Sequence, residues 1–287
     1  MSTTIRLQIG DWQAGVKAAY YKGSQLLAML APENPRQKKI IIPVEAPTDA
    51  PLAEENGVVA QQAVLGNVQR AKTAIQKEKP DRIITLGGNC LVSQAPFDYL
   101  HGKYGNELGI IWFDAHPDIS NPQMFNHEHA MVAANLLGAG DPVLRAEVEH
   151  PLQPSQLLYA GLQPLLDTEI QELNRLGVSY TVQEDGMLST DSILVWLKQH
   201  NFRKVAIHWD IDVLSPDDFH SQYFAEPDVP MFAGSSHGIN TIREMSEKLQ
   251  AIQENADIVG LTIAEYLPWD AIRLQQTMQS LDIFTKG

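Results

Sequence analysis

Short runs of consecutive apolar residues alternate along the chain with longer stretches whose apolar positions recur every three to four residues. The first kind reads as strands buried on both faces, the second as helices packed on one face. The pattern predicts strands over 5–9, 39–44, 81–86, 108–113, 157–160, 178–181, 204–208 and 257–263. It predicts helices over 58–77, 129–137, 168–176, 192–200, 239–253 and 271–281. Gly87-Gly88 closes the third strand. Fully apolar strands separated by helices imply an α/β fold with a mostly parallel sheet covered on both faces. The stretches 43–56, 117–128 and 214–236 are irregular and rich in Pro, Gly, Asp and Asn. Ligands of parallel sheets gather at the carboxyl ends of strands, so the residues just past each strand matter most.

Two of those positions carry chemistry. Asp114-Ala115-His116-Pro117-Asp118 follows the strand 108–113, and Asp210-Ile211-Asp212 follows 204–208. Residues two apart in extended chain share a face, so Asp114, His116 and Asp118 can converge, as can Asp210 and Asp212. Four carboxylates at neighbouring strand ends repel unless they are protonated or hold a divalent cation. Oxygen donors with one imidazole suit Mn²⁺, and metals that share carboxylates lower the pKa of bound water and create a nucleophile near neutral pH.

Composition narrows the partners. A 287-residue chain suffices for one large α/β domain or two small ones, and 44% apolar with 20% charged residues is ordinary for a globular protein. The formal net charge of −14 repels nucleic acid and anionic membrane, so neither is an expected partner, and it favours a cationic ligand. The one cysteine, Cys90, allows no internal disulfide, which fits a reducing cytoplasm. The amino terminus lacks the basic-then-apolar pattern of a signal peptide, and no apolar run approaches the ~20 residues that span a bilayer. The expectation is a cytoplasmic protein.

Together the motifs resemble those of the arginase/agmatinase (ureohydrolase) family. Asp114-Ala115-His116-Pro117-Asp118 is similar to the family's Asp-Ala-His-x-Asp. His208-Trp209-Asp210-Ile211-Asp212-Val213-Leu214-Ser215-Pro216 resembles Ser-x-Asp-x-Asp-x-x-Asp-Pro, with Ser215 in place of the last Asp. Leu86-Gly87-Gly88-Asn89-Cys90 resembles Gly-Gly-Asp-His. The resemblance runs from about Arg82 to Pro268 and implies a single three-layer αβα domain over 1–287. It also implies two Mn²⁺ per chain and hydrolysis of a guanidino or amidino C–N bond in a small cationic substrate. Asp114 and Asp210 would bridge the metals, Asp118 would complete one site, and His116 with Asp212 the other. His129 resembles the loop histidine that passes a proton to the leaving amine, and Glu265 the glutamate that pairs with the guanidinium. Family members are often homo-oligomers.

Where the family has a histidine ligand this chain has Cys90, which admits three readings. A thiolate would bind softer ions such as Zn²⁺. A neutral thiol would leave the first site weak or empty. A packed cysteine would do nothing chemical. Two alternatives to the two-metal hydrolase follow: a noncatalytic or single-metal relative, and a mononuclear amide hydrolase. Met124-Phe125-Asn126-His127-Glu128 stands where arginases have a Ser-Gly-Asn type of stretch, and Leu166 stands where they have an acidic residue, which puts arginine itself in doubt. His127 reads as a plain loop residue, and His208 and His237 as non-ligands. The charged loop residues Asp217, Asp218, His220, Glu226 and Asp228 would be solvated or would line an entrance.

Overall fold

Every residue of the run Leu108–Phe113 is buried, as a strand with neighbours on both sides and layers above and below requires. The computed structural model describes residues 2–229 and 236–285, so part of the irregular stretch 214–236 lies outside the described residues. In chain order the elements are β1 (Thr4–Ile9), α1 (Ala19–Leu30), β2 (Lys38–Ile42), β3 (Glu54–Glu55), β4 (Val58–Val59), α2 (Gln61–Glu78), β5 (Arg82–Gly87), α3 (Gln94–Tyr104), β6 (Leu108–Phe113), α4 (Val132–Leu136), α5 (Pro142–Arg145), β7 (Leu157–Tyr159), α6 (Asp167–Leu176), α7 (Thr190–Gln199), β8 (Lys204–Asp210), α8 (Ile242–Asn255), β9 (Asp257–Ala264), α9 (Trp269–Gln279) and α10 (Asp282–Thr285).

Seven strands form one sheet in the order β2-β1-β5-β9-β8-β6-β7, and every adjacent pair is parallel. Side chains of β6 show how the layers divide. Leu108, Ile110 and Trp112 join a core with α2 and α3 residues such as Val64, Ile75, Phe97 and Leu100. Ile111 and Phe113 join the opposite core with Ile193, Leu197, Met245 and Ile252 of α7 and α8. The arrangement is the expected three-layer αβα. Burying each such side chain stabilises the fold by roughly 1.5–3 kcal/mol, which makes the sheet a stiff platform. Among the described residues no helix is long and apolar enough to cross a membrane.

The structure departs from the pattern in places that have physical causes. Residues 58–59 pair with β3, and Ala60 then takes a left-handed φ of 55°, so the helix begins only at Gln61. Residues 178–181 form no strand. Gly177 ends α6 in the left-handed region, and the Val178 amide returns to the Leu173 carbonyl, the usual closure of a helix by glycine. The segment 129–137 divides into a 3₁₀ turn, Glu128–Met131, and the short α4. Helix α1 was not legible because its buried face, Tyr20, Gly23, Ser24 and Leu27, has helical spacing but small or polar residues at two positions. At Gly23 the helix lies so close to the loop after β9 that a Cβ would meet the Tyr266 carbonyl at 1.9 Å.

Candidate metal and catalytic site

Four adjacent strands, β5, β9, β8 and β6, end side by side, and each delivers acidic or sulfur groups at its carboxyl end. Cys90 opens a 3₁₀ turn, Cys90–Ser93, just past β5. Asp114 follows β6, Asp210 ends β8, and Glu265 follows β9. The first acid of each motif also holds its own loop. Asp114 Oδ1 accepts from the His116 amide at 2.6 Å, and Asp210 Oδ1 accepts from the Asp212 amide at 2.7 Å. These Asx-type turns leave each Oδ2 turned toward the shared centre. There Asp210 Oδ2 accepts from Cys90 Sγ at 2.8 Å, and Asp114 Oδ2 accepts from Trp112 Nε1 at 3.0 Å.

Donor atoms converge in overlapping groups whose members lie within 4.8 Å of one another: Asp114, His116 and Asp212; Asp210, Asp212 and Glu265; Cys90, His129 and Glu265; and Cys90, Asp114, His208 and Asp210. His116 Nδ1 lies 3.1 Å from Asp212 Oδ2 and 3.5 Å from Asp114 Oδ1. Asp118 is buried beside the cluster, outside these groups, and its Oδ2 has no hydrogen-bond partner. Both Asp118 (φ 49°) and Glu265 (φ 61°) adopt the left-handed backbone region, which costs a non-glycine residue about 1 kcal/mol or more.

His129 Nδ1 sits 3.1 Å from Glu265 Oε1, so the two residues expected to serve the substrate are a pair. Glu265 Oε2 accepts from the Tyr20 hydroxyl at 2.5 Å. Tyr20 was missed because α1 was. Two of the charged loop residues make structural contacts: Asp218 caps the Ile242 amide of α8, and Glu226 pairs with Lys17. His237 Nδ1 bonds the Gly238 carbonyl. Aromatic rings lie beside the histidines, with Phe224 6.0 Å from His116 and Phe125 4.7 Å from His127, centroid to centroid.

His208, expected as a non-ligand, lies against the cluster. It is fully buried and stacks on Trp112, its cross-strand partner, with centroids 3.7 Å apart and planes 10° apart. A signal was available: His208 precedes Asp210 by two residues in a strand, so it shares that residue's face.

Electrostatics describe a cluster that favours a cation. Burial, then Asp212, pushes the Asp114 carboxyl up to about 7. Burial and neighbouring carboxylates hold Asp118 and Asp210 well above the usual range. Burial, then Asp118 and Asp210, also raises the Cys90 thiol. For Asp212 the burial effect is outweighed by the charge of His116, and its carboxyl is lowered. Burial pushes His208 down to about 3, leaving a neutral imidazole. A divalent ion held by these groups would relieve this repulsion, so the donor set fits a metal centre.

Comparison with known proteins finds relatives that share this fold. The model of the Arginase family matches residues 22–280. Arginase from Coccidioides posadasii is 23% identical over 200 residues, covering 65% of this chain and 59% of that protein, which is less than two thirds of the relative's length. Arginase from Staphylococcus aureus (strain MRSA252) is 21% identical over 225 residues, 75% of this chain and 71% of the relative. Among solved structures, Entamoeba histolytica arginase in complex with L-ornithine superposes with a TM-score of 0.76 at 18% identity, covering 93% of both chains. A putative agmatinase from Clostridium difficile gives 0.62 at 17% identity, covering 96% of this chain and 92% of that one.

Proposed function

The chain belongs to the arginase family, and from that premise we propose that it is a metal-dependent hydrolase of guanidino or amidino C–N bonds. The observation that carries the reading is the convergence of Asp114, His116, Asp210 and Asp212 at neighbouring strand ends, where buried carboxylates crowd one another and His116 pairs with Asp212. Asp114 and Asp210 would bridge two metal positions. Asp118 and Cys90 would complete one, and His116 with Asp212 the other, whose oxygen-rich donors suit Mn²⁺. When bound, the metal supplies Lewis acidity and a water acidic enough to ionise near neutral pH.

The remaining roles belong to the chain itself. Glu265 holds the planar cation of the substrate through charge-assisted hydrogen bonds, exchanging some of its present contacts with Tyr20 and His129 for the ligand. His129, half-buried and next to Glu265, delivers a proton to the departing amine. The rings of Phe125, His127 and Phe224 beside His129 and His116 favour a substrate whose far end is compact or apolar over the amino-acid end of arginine. The same reading makes residues 1–287 one metallohydrolase domain, cytoplasmic and homo-oligomeric.

The test is metal content together with urea and amine release across a panel of guanidino and amidino compounds. Wild type should retain divalent metal and turn over at least one member of the panel. Asp114→Ala and Asp210→Ala should each lose metal and more than about a hundred-fold of activity, since even outer-shell changes cost 10–100-fold. Full activity in either variant would sink the mechanism.

A further inference from the structure

The position where the family resemblance calls for a histidine ligand holds Cys90, and a nitrogen donor reaches the same place from a different strand. His208 projects from β8, two residues before Asp210. Its Nε2 is buried and has no hydrogen-bond partner. That nitrogen lies 3.9 Å from Asp114 Oδ2, and the ring offers a nitrogen within 4.8 Å of the donor atoms of Cys90, Asp114 and Asp210. Leaving a buried imidazole nitrogen unpaired costs roughly 1–3 kcal/mol, so its placement against three potential ligands asks for a reason.

The other ring nitrogen is already committed. His208 Nδ1 is 2.7 Å from the hydroxyl of Ser93, the last residue of the turn that Cys90 begins. With Nδ1–H donating to Ser93 Oγ, Nε2 carries the free lone pair, which is the tautomer a metal ligand needs. Trp112 fixes the plane of the ring by stacking and also donates to Asp114. One side chain therefore positions two donors. Nothing comparable supports an ordinary core histidine, whose second nitrogen would find a carbonyl or hydroxyl.

We propose that His208 is a metal ligand, and that Cys90, Asp114, His208 and Asp210 form a four-donor site selective for Zn²⁺ or Co²⁺ over Mn²⁺. This rests on the metal-centre reading above and deepens it. A thiolate and an imidazole with two carboxylate oxygens is a donor set that tetrahedral Zn²⁺ accepts and Mn²⁺ does not prefer. With metal–nitrogen and metal–oxygen bonds of about 2.0–2.2 Å, a tetrahedral edge is roughly 3.4 Å. The His208–Asp114 separation of 3.9 Å needs to close by about half an ångström. On binding, the metal takes the place of the Cys90 thiol proton, which leaves to solvent. Asp118, with its free Oδ2, stays available as a further oxygen. The chain has thus exchanged which strand end supplies nitrogen and which supplies a smaller donor.

The experiment loads metal-free protein with one equivalent of Zn²⁺ or Co²⁺ and reads coordination directly. X-ray absorption of the wild-type Zn²⁺ form should show one sulfur and one imidazole in the same coordination sphere. The Co²⁺ form should show thiolate-to-metal charge transfer and four-coordinate ligand-field intensity. His208→Ala should lose the imidazole and bind Zn²⁺ at least about ten-fold more weakly. Its far-UV circular dichroism and melting without metal serve as the folding control. Ser93→Ala, which leaves the ring in place, should weaken binding about 10–100-fold. His129→Ala should leave the spectra unchanged, which separates this site from the Cys90–His129–Glu265 group. If wild type binds no metal, both the metal-centre reading and this inference are overturned. If wild type shows sulfur without imidazole, or His208→Ala keeps the wild-type spectrum and affinity, His208 is not a ligand while the metal centre stands.

Discussion

At the scale of single residues, the chain keeps several polar groups in places where water cannot serve them. Glu128, next to the loop histidine, is fully buried. Its Oε1 accepts from Asn135 Nδ2 at 2.6 Å, and its Oε2 has no partner. Burial, only partly offset by Asn135, pushes its carboxyl from 4.5 up to about 8. The folded chain therefore holds this proton more tightly than the unfolded chain. The stability that follows is fully present below the unfolded value and is lost as pH rises through about 8, at most about 5 kcal/mol in total. Glu128→Gln, which has no proton to lose, should gain a few kcal/mol relative to wild type between pH 6 and pH 9. Urea midpoints at the two pH values measure this, and parallel behaviour of the two proteins would show that Glu128 is not held protonated. His208 obeys the same logic of burial, since an orphaned nitrogen marks either a cost or a ligand position.

Elements place these residues, and close backbone approaches set where the elements lie. The loop after β5 passes directly over the loop after β1. A Cβ on Gly88 would meet the Asp11 carbonyl oxygen at 1.8 Å, and that carbonyl accepts from both the amide and the side chain of Asn89. The Gly88 carbonyl in turn accepts from the Glu265 amide at 2.7 Å. Gly88→Ala should thus cost about 2–3 kcal/mol of stability, at the upper end of what overpacking does. It should weaken metal binding as well, because Cys90 and Glu265 both hang on this contact. Thermal melting and metal affinity together check this, and a variant with wild-type values of both would show that the two loops can part freely. Long apolar runs were legible as strands because burial on both faces leaves no polar position to confuse the pattern. Helix α1 and the segment 178–181 were not, because in them small residues, tyrosines and a helix-closing glycine serve contacts that only neighbouring elements define.

At the scale of the whole molecule, a net charge of −14 surrounds a site that is itself acidic. Such a field draws in a cationic substrate and is screened within about 8–10 Å at physiological salt. Raising ionic strength from 0.02 to about 0.5 M should lower kcat/KM for a guanidino cation several-fold through KM, with kcat little changed. A salt-independent kcat/KM would show that capture is local. The sheet order also explains which chemistry meets. β5, β9, β8 and β6 are neighbours in space but far apart in the chain, so Cys90, Glu265, Asp210 and Asp114 come from four distant segments. The chain by itself determined the strand-ending motifs Asp114-x-His116-x-Asp118 and Asp210-x-Asp212, the α/β class, and the change to cysteine at position 90, because each is a local pattern of residue types at a period of two or in one apolar run. Only the tertiary structure decided that Tyr20 lies against Glu265, that Ser93 and Trp112 hold an imidazole, and that the unpaired nitrogen of His208 lies beside Asp114. Those relations arise where separate strands and turns are packed against one another, and burial, which gives an unpartnered atom its meaning, exists only once the chain has folded.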